Sequence, residues 1–183
     1  MNLFDKWSAA LPHADFLAKY GTAVHQARWK QTFDRVTLTA PQRELLAAFK
    51  RPMPVLCLAG AWCGDCSGQC PVFERFAEVA PVIQVRYLDR DAHADVQREL
   101  KINGGDRVPV AVFFSEDGCE VARFGERTLT KYRQLVQALD GASCPTGVAA
   151  GGEAGVVQEW LDQFERVQWI LRLSPRLRQM HGD

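Results

Sequence analysis

The chain has 183 residues, 47% of them hydrophobic and 24% charged, with 22 Lys and Arg balanced by 22 Asp and Glu. This is the make-up of one soluble globular domain with additions. Zero formal charge argues against a nucleic-acid surface and against electrostatic attachment to a membrane, and no apolar run reaches the length of a span.

Met1 to Ser8 lack a basic start followed by an apolar stretch, so no signal peptide is expected and the cytoplasm is the expected compartment. Residues 1–50 read as a helical extension. A short helix is expected over Ala14–Tyr20, ending at Gly21, and another over Thr22–Phe33, carrying Val24, Ala27 and Trp29. Thr39-Ala40-Pro41-Gln42 resembles a capping box with proline in the first turn, ahead of Leu45, Leu46 and Phe49. Val55 to Ala59 is a short apolar run with the pattern of a buried strand. A helix follows, starting at Cys63, with apolar positions at Val72, Phe73, Phe76 and Val79. A strand over Val85–Asp89, a helix over Ala92–Leu100 and a strongly apolar strand over Val108–Phe114 come next. Glu116-Asp117-Gly118 turns the chain into Glu120–Gly125, and a helix is expected over Thr130–Leu139. Residues 141–152 read as a small-residue linker. Beyond it Val157, Trp160, Leu161, Phe164, Val167 and Leu171 form the apolar stripe of an amphipathic helix over Glu153–Leu173. Ser174-Pro175 ends that helix, and Arg176 to Asp183 read as a frayed polar tail.

The chemistry concentrates in Trp62-Cys63-Gly64-Asp65-Cys66. A strand that feeds a Cys-x-x-Cys at a helix N-terminus is a redox arrangement. The unpaired amides and positive end of the helix favour a thiolate at the first cysteine. Cys63 is then the nucleophile and Cys66, one turn inside the helix, the resolving thiol.

Residues 51–140 resemble the thioredoxin-like family. Trp62 to Cys66 stands where the family usually has WCGPC, Pro71 matches its active-helix proline, and Val108-Pro109 matches its cis-proline. Asp65, the run Asp89-Arg90-Asp91 and the segment from Asn103 to Pro109 resemble a bacterial subfamily. The resemblance implies a three-layer α/β fold with a central mixed sheet, here with helical extensions at both ends. It implies dithiol–disulfide exchange with a protein or small-molecule disulfide, a thiol-based electron donor and no bound cofactor. It also implies that Pro109 lies against the disulfide and leaves the Val108 backbone free for a substrate segment. The competing reading is a protein-binding module with weak or vestigial redox activity.

Trp62, Gly64, Asp65, Cys57 and Arg107 are the expected modulators of the pair. Asp65 replaces the family's proline. Its charge disfavours a neighbouring thiolate, unless it is a solvated aspartate of little effect. Cys57 occupies the place where thioredoxins usually hold a buried aspartate that helps proton transfer. It reads first as a small core residue, which leaves Asp65 as the nearest proton acceptor in sequence. Cys70, four residues after Cys66, is a third thiol on the same helix face. It suits a backup resolving role better than a metal site, because no second ligand pair exists and only His93 is at hand. Arg107 either lowers the Cys63 pKa or binds an acidic part of a substrate, or is an ordinary loop residue. Cys119 and Cys144 read as free thiols. The C-terminal helix is expected to pack on its own domain, beside the N-terminal helices, with homodimerisation as the alternative.

Overall fold

The computed structural model describes residues 1–137 and 151–183. Along the chain these form α1 (Leu3–Ala9), α2 (His13–Tyr20), α3 (Ala23–Arg35), α4 (Ala40–Ala47), β1 (Met53–Ala59), α5 (Gly64–Val79), β2 (Ile83–Asp89), α6 (Ala94–Glu99), β3 (Val110–Phe114), β4 (Glu120–Gly125), α7 (Leu129–Gln137), α8 (Gly152–Leu173) and α9 (Pro175–His181). The end of the expected Thr130–Leu139 helix, most of the expected linker and Cys144 lie outside the described residues. Among the described residues no helix is long and apolar enough to cross a membrane.

The sheet runs in the order β2-β1-β3-β4. β1 is parallel to β2 and antiparallel to β3, and β3 is antiparallel to β4. The two central strands are buried along their whole length, which is why both read as unbroken apolar runs rather than alternating ones. The register sets Cys57 beside Tyr87 on one side and Ala111 on the other, and Val55 beside Phe113. Side chains alternate across a sheet, so these residues share the face covered by α5. The opposite face shows Phe114, whose ring meets Phe4 of α1 at 5.5 Å.

The N-terminal helices are fastened to this sheet. Thr22 and Thr39 each form a capping box, with His25 and Gln42, and so satisfy amides at both helix starts. Leu11 pairs as a single antiparallel bridge with Tyr87. Phe16 stacks on Tyr87 at 5.4 Å, and buried Trp29 donates from Nε1 to the Ala61 carbonyl at 2.9 Å. Arg75 of α5 donates twice to the carbonyl of Phe33. Helix α1 is absent from the sequence reading; it is only seven residues long and starts on an Asn2 cap.

The apolar stripe of α8 is buried as its spacing predicts, but not chiefly against the N-terminal helices. Trp160 meets Phe73 at 4.5 Å and Phe124 at 4.8 Å, while Phe164 meets Phe76 at 5.3 Å and Phe113 at 5.0 Å. Helix α8 therefore lies beside α5 on the same sheet face. The N-terminal segment adds a Gln42–Gln158 hydrogen bond, an Arg35–Glu153 ion pair and a hydrogen bond from the Lys50 amide to Gln168. The physical reason is that Phe113 and Phe124 need cover, and each large apolar side chain taken from water contributes about 1.5–3 kcal/mol. The reading of a frayed tail is also corrected. Ser174 caps a further helix, α9, whose Leu177 is buried. Arg176 pairs with Asp117 at 2.6 Å, and Asp183 is held by Arg51 and Arg172.

Candidate active site

The site forms where β1 runs out and α5 begins. The Cys63 amide turns back to the Gly60 carbonyl at 3.0 Å, and the Cys63 carbonyl accepts from Ser67 at 3.0 Å. Cys63 is thus the N-cap of α5, with no side-chain cap bond of its own. Gly60 lets the Trp62 indole lie against the backbone, since a Cβ there would come within 2.8 Å of the ring and displace it. Trp62 is 41% exposed, and the Arg90 guanidinium sits 4.6 Å from its ring. Arg90 also donates to the Asp106 carbonyl and pairs with Asp91. Arg90, in the charged run Asp89-Arg90-Asp91, thus braces the tryptophan beside the first thiol.

Cys63 lies at the rim, 9% exposed, whereas Cys66 is fully covered. The Cys63 Sγ is 3.8 Å from the Val108 carbonyl oxygen, and the Val108–Pro109 peptide bond is cis. The Gly60 amide donates to Cys66 Sγ at 3.4 Å. The two sulfurs titrate as a unit. Their mutual hydrogen bond favours one thiolate and opposes a second, and burial and the Cys66 charge push the Cys63 thiol further up. Burial works against charge on Cys66 as well, but hydrogen bonds from Cys63, Cys70 and Gly60 outweigh it. The pair therefore gives up its first proton below the ordinary thiol range and its second above it. These shifts favour the charge on Cys66 over Cys63, the reverse of the order the helix terminus alone would set.

Asp65 is not solvated. One carboxylate oxygen, Oδ2, accepts from both Arg127 Nη2 at 2.6 Å and Nε at 2.9 Å in a charge-assisted ion pair. Arg127 follows Glu126, which is buried and accepts from the Tyr132 hydroxyl at 2.8 Å. Arg107 reaches Glu126 at 3.8 Å, so this arginine is engaged by a carboxylate at the edge of the site. Gln69 links these parts. It donates to the carbonyls of Asp65 and Glu126 and accepts from Trp160 Nε1 at 3.1 Å, which ties α8 to the active helix. Gly64 has open space around it.

Behind the pair lie two more thiols. Cys70 follows Cys66 by one turn of α5, and its sulfur stands 3.8 Å from that of Cys57. Both are fully buried, and burial pushes both thiols up. Tyr87, beside Cys57 in the neighbouring strand, donates to Glu74 at 2.7 Å and reaches the Cys70 carbonyl at 3.5 Å. Burial raises the Glu74 carboxyl to about 7, against the lowering effect of the Tyr87 hydrogen bond. A partly buried carboxyl on α5, from a residue the sequence reading did not single out, thus lies hydrogen-bonded to the tyrosine beside position 57. His93, weighed as a fourth metal ligand, has its Nδ1 2.9 Å from the Asp89 carbonyl instead.

A family model described as thioredoxin matches residues 10–140. No curated protein matches the chain. Among solved structures, the chain is similar to a protein of unknown function from Pseudomonas aeruginosa, at 18% identity over 88% of this chain and 93% of that one, with a TM-score of 0.70. It is similar to an HIV epitope-scaffold protein at 17% identity over 88% of this chain and 93% of that one, with a TM-score of 0.66. Thioredoxin O2 from Arabidopsis thaliana is 20% identical over 55% of this chain and 87% of that one, with a TM-score of 0.35. The first two likenesses show the fold.

Proposed function

The chain belongs to the thioredoxin family, and on that premise we propose that it is a thiol–disulfide oxidoreductase that reduces disulfides through Cys63 and Cys66. The supporting observation is the unequal placement of the two sulfurs: Cys63 caps α5 at the rim and Cys66 lies covered behind it. The Cys63 sulfur attacks a substrate disulfide, one new S–S bond forms, and the substrate's first thiolate leaves. Cys66 then attacks the Cys63 sulfur, the mixed disulfide breaks, and the second substrate thiolate leaves. An external thiol donor returns the Cys63–Cys66 disulfide to the dithiol. The Val108 backbone and Pro109 receive an extended stretch of a protein substrate or the body of a small-molecule disulfide, and Trp62 forms the exposed wall beside it.

The test is reduction of a protein disulfide in the presence of a chemical reductant. The intact chain should accelerate the reaction, and Cys63→Ser should remove the acceleration. Equal rates for the two would overturn the proposal. Iodoacetamide should alkylate Cys63 before Cys66, because only Cys63 reaches solvent; preferential labelling of Cys66 in a peptide map would reverse the roles.

A further inference from the structure

Four thiols stand in sequence from the rim to the core: Cys63, Cys66, Cys70 and Cys57. Cys63 is the N-cap of α5 with Cys66 in its first turn, Cys70 follows Cys66 by one helical turn, and the Cys70 and Cys57 sulfurs are 3.8 Å apart. Cys66 and Cys70 occupy successive turns of α5, and Cys57 faces Cys70 from β1. Family-type exchange uses two of these sulfurs. We propose that Cys57 and Cys70 are a second, buried dithiol that takes over oxidation from the Cys63–Cys66 disulfide by exchange inside the protein. The proposal rests on the oxidoreductase reading above.

The geometry suits a disulfide between the inner pair. Their sulfurs need to close by about 1.8 Å to reach the ordinary S–S bond of about 2 Å. The steps balance without an outside reagent. Starting from oxidised Cys63–Cys66, the Cys70 sulfur attacks Cys66. The Cys66–Cys70 bond forms, the Cys63–Cys66 bond breaks, and Cys63 leaves as the thiolate. The Cys57 sulfur then attacks Cys70. The Cys57–Cys70 bond forms, the Cys66–Cys70 bond breaks, and Cys66 leaves as the thiolate. Two electrons pass from the inner pair to the outer pair, and the two thiol protons lost inside are matched by two gained on Cys63 and Cys66. Tyr87 and Glu74 stand beside the inner pair as a hydroxyl and carboxyl through which a proton can leave. The outer dithiol is then restored and can act on a second disulfide before any external donor is needed.

The full chain is oxidised with excess hydroxyethyl disulfide, unfolded in N-ethylmaleimide and mapped. Residues 52–75 hold all four thiols with no internal Lys or Arg, so the map requires cleavage after Trp62 and at Asp65, and fragmentation of the remaining piece in the mass spectrometer to separate Cys66 from Cys70. The expected result is a Cys57–Cys70 link alongside Cys63–Cys66, with no free thiol in that stretch. Cys57 and Cys70 both recovered as maleimide adducts, with Cys63–Cys66 linked, would overturn the second dithiol and leave the oxidoreductase reading standing. Absence of a Cys63–Cys66 link would count against that reading instead. The route has its own test. Cys66→Ser should keep Cys57 and Cys70 reduced under the same oxidant, and an inner link forming at the wild-type rate would show that oxidation does not pass through Cys66.

Discussion

Two residues carry testable electrostatics. The Asp65 charge opposes a thiolate on Cys66, and the Arg127 guanidinium holds that charge in check at 2.6 Å. Arg127→Gln should therefore raise the first ionisation of the dithiol by about one unit, read from thiolate absorbance against pH. In an Asp65→Asn background the same change should have no effect. A shift of equal size in both backgrounds would show that Arg127 acts on the thiols directly. Glu74 makes a prediction about stability. Its carboxyl ionises near 4.5 when unfolded but near 7 when folded, because it is buried. A raised folded value means that its contribution is complete below about pH 4.5 and is lost as pH rises to about 7, on the order of 3 kcal/mol in all. Glu74→Gln should flatten that fall in denaturant unfolding. His13, Lys30 and Glu78 line the same groove, and His13, lowered to about 4 by burial, acts in the opposite direction as pH drops. Comparison with the Gln variant isolates Glu74. The dithiol was legible in sequence because its partners are three residues apart and its signal is local. Arg127 was not, since it lies 62 positions from Asp65 and only the return of the chain after β4 brings the two together.

At the scale of elements, helix α8 was legible and its destination was not. The spacing of Trp160, Phe164, Val167 and Leu171 states that one face must be covered, but the surface it covers is assembled from α5, β3 and β4. Short strands bounded by turns were read within two residues of their ends. Helix α9 was missed because Pro175 was read as a stop, whereas proline in a first turn also starts a helix. Trp160→Ala should cost about 3–5 kcal/mol, since it empties the space between Phe73 and Phe124 and removes a hydrogen bond from Gln69. Thermal unfolding measures this. Trp169→Ala, on the exposed side of the same helix, should change the midpoint little. Equal losses at the two positions would contradict the packing described here.

For the molecule as a whole, the core is continuous from Leu3 to Leu177 and takes side chains from both extensions. Removal of residues 152–183 should therefore abolish cooperative unfolding rather than leave a smaller, intact redox domain. A truncated chain with a sharp transition and normal Cys63 reactivity would show that the sheet needs no such cover. The position of α8 also has a consequence for the chain during synthesis. The helix that completes the face over the sheet is translated long after the strands beneath it. From Cys70 to Leu171 is about a hundred residues, roughly 5–20 s of elongation. For that interval the nascent chain carries its four clustered cysteines beside a core that still lacks the α8 cover over Phe73, Phe76 and Phe113. A protein whose finished form ranks its sulfurs by depth thus completes the cover over its sheet face only when the last long helix closes.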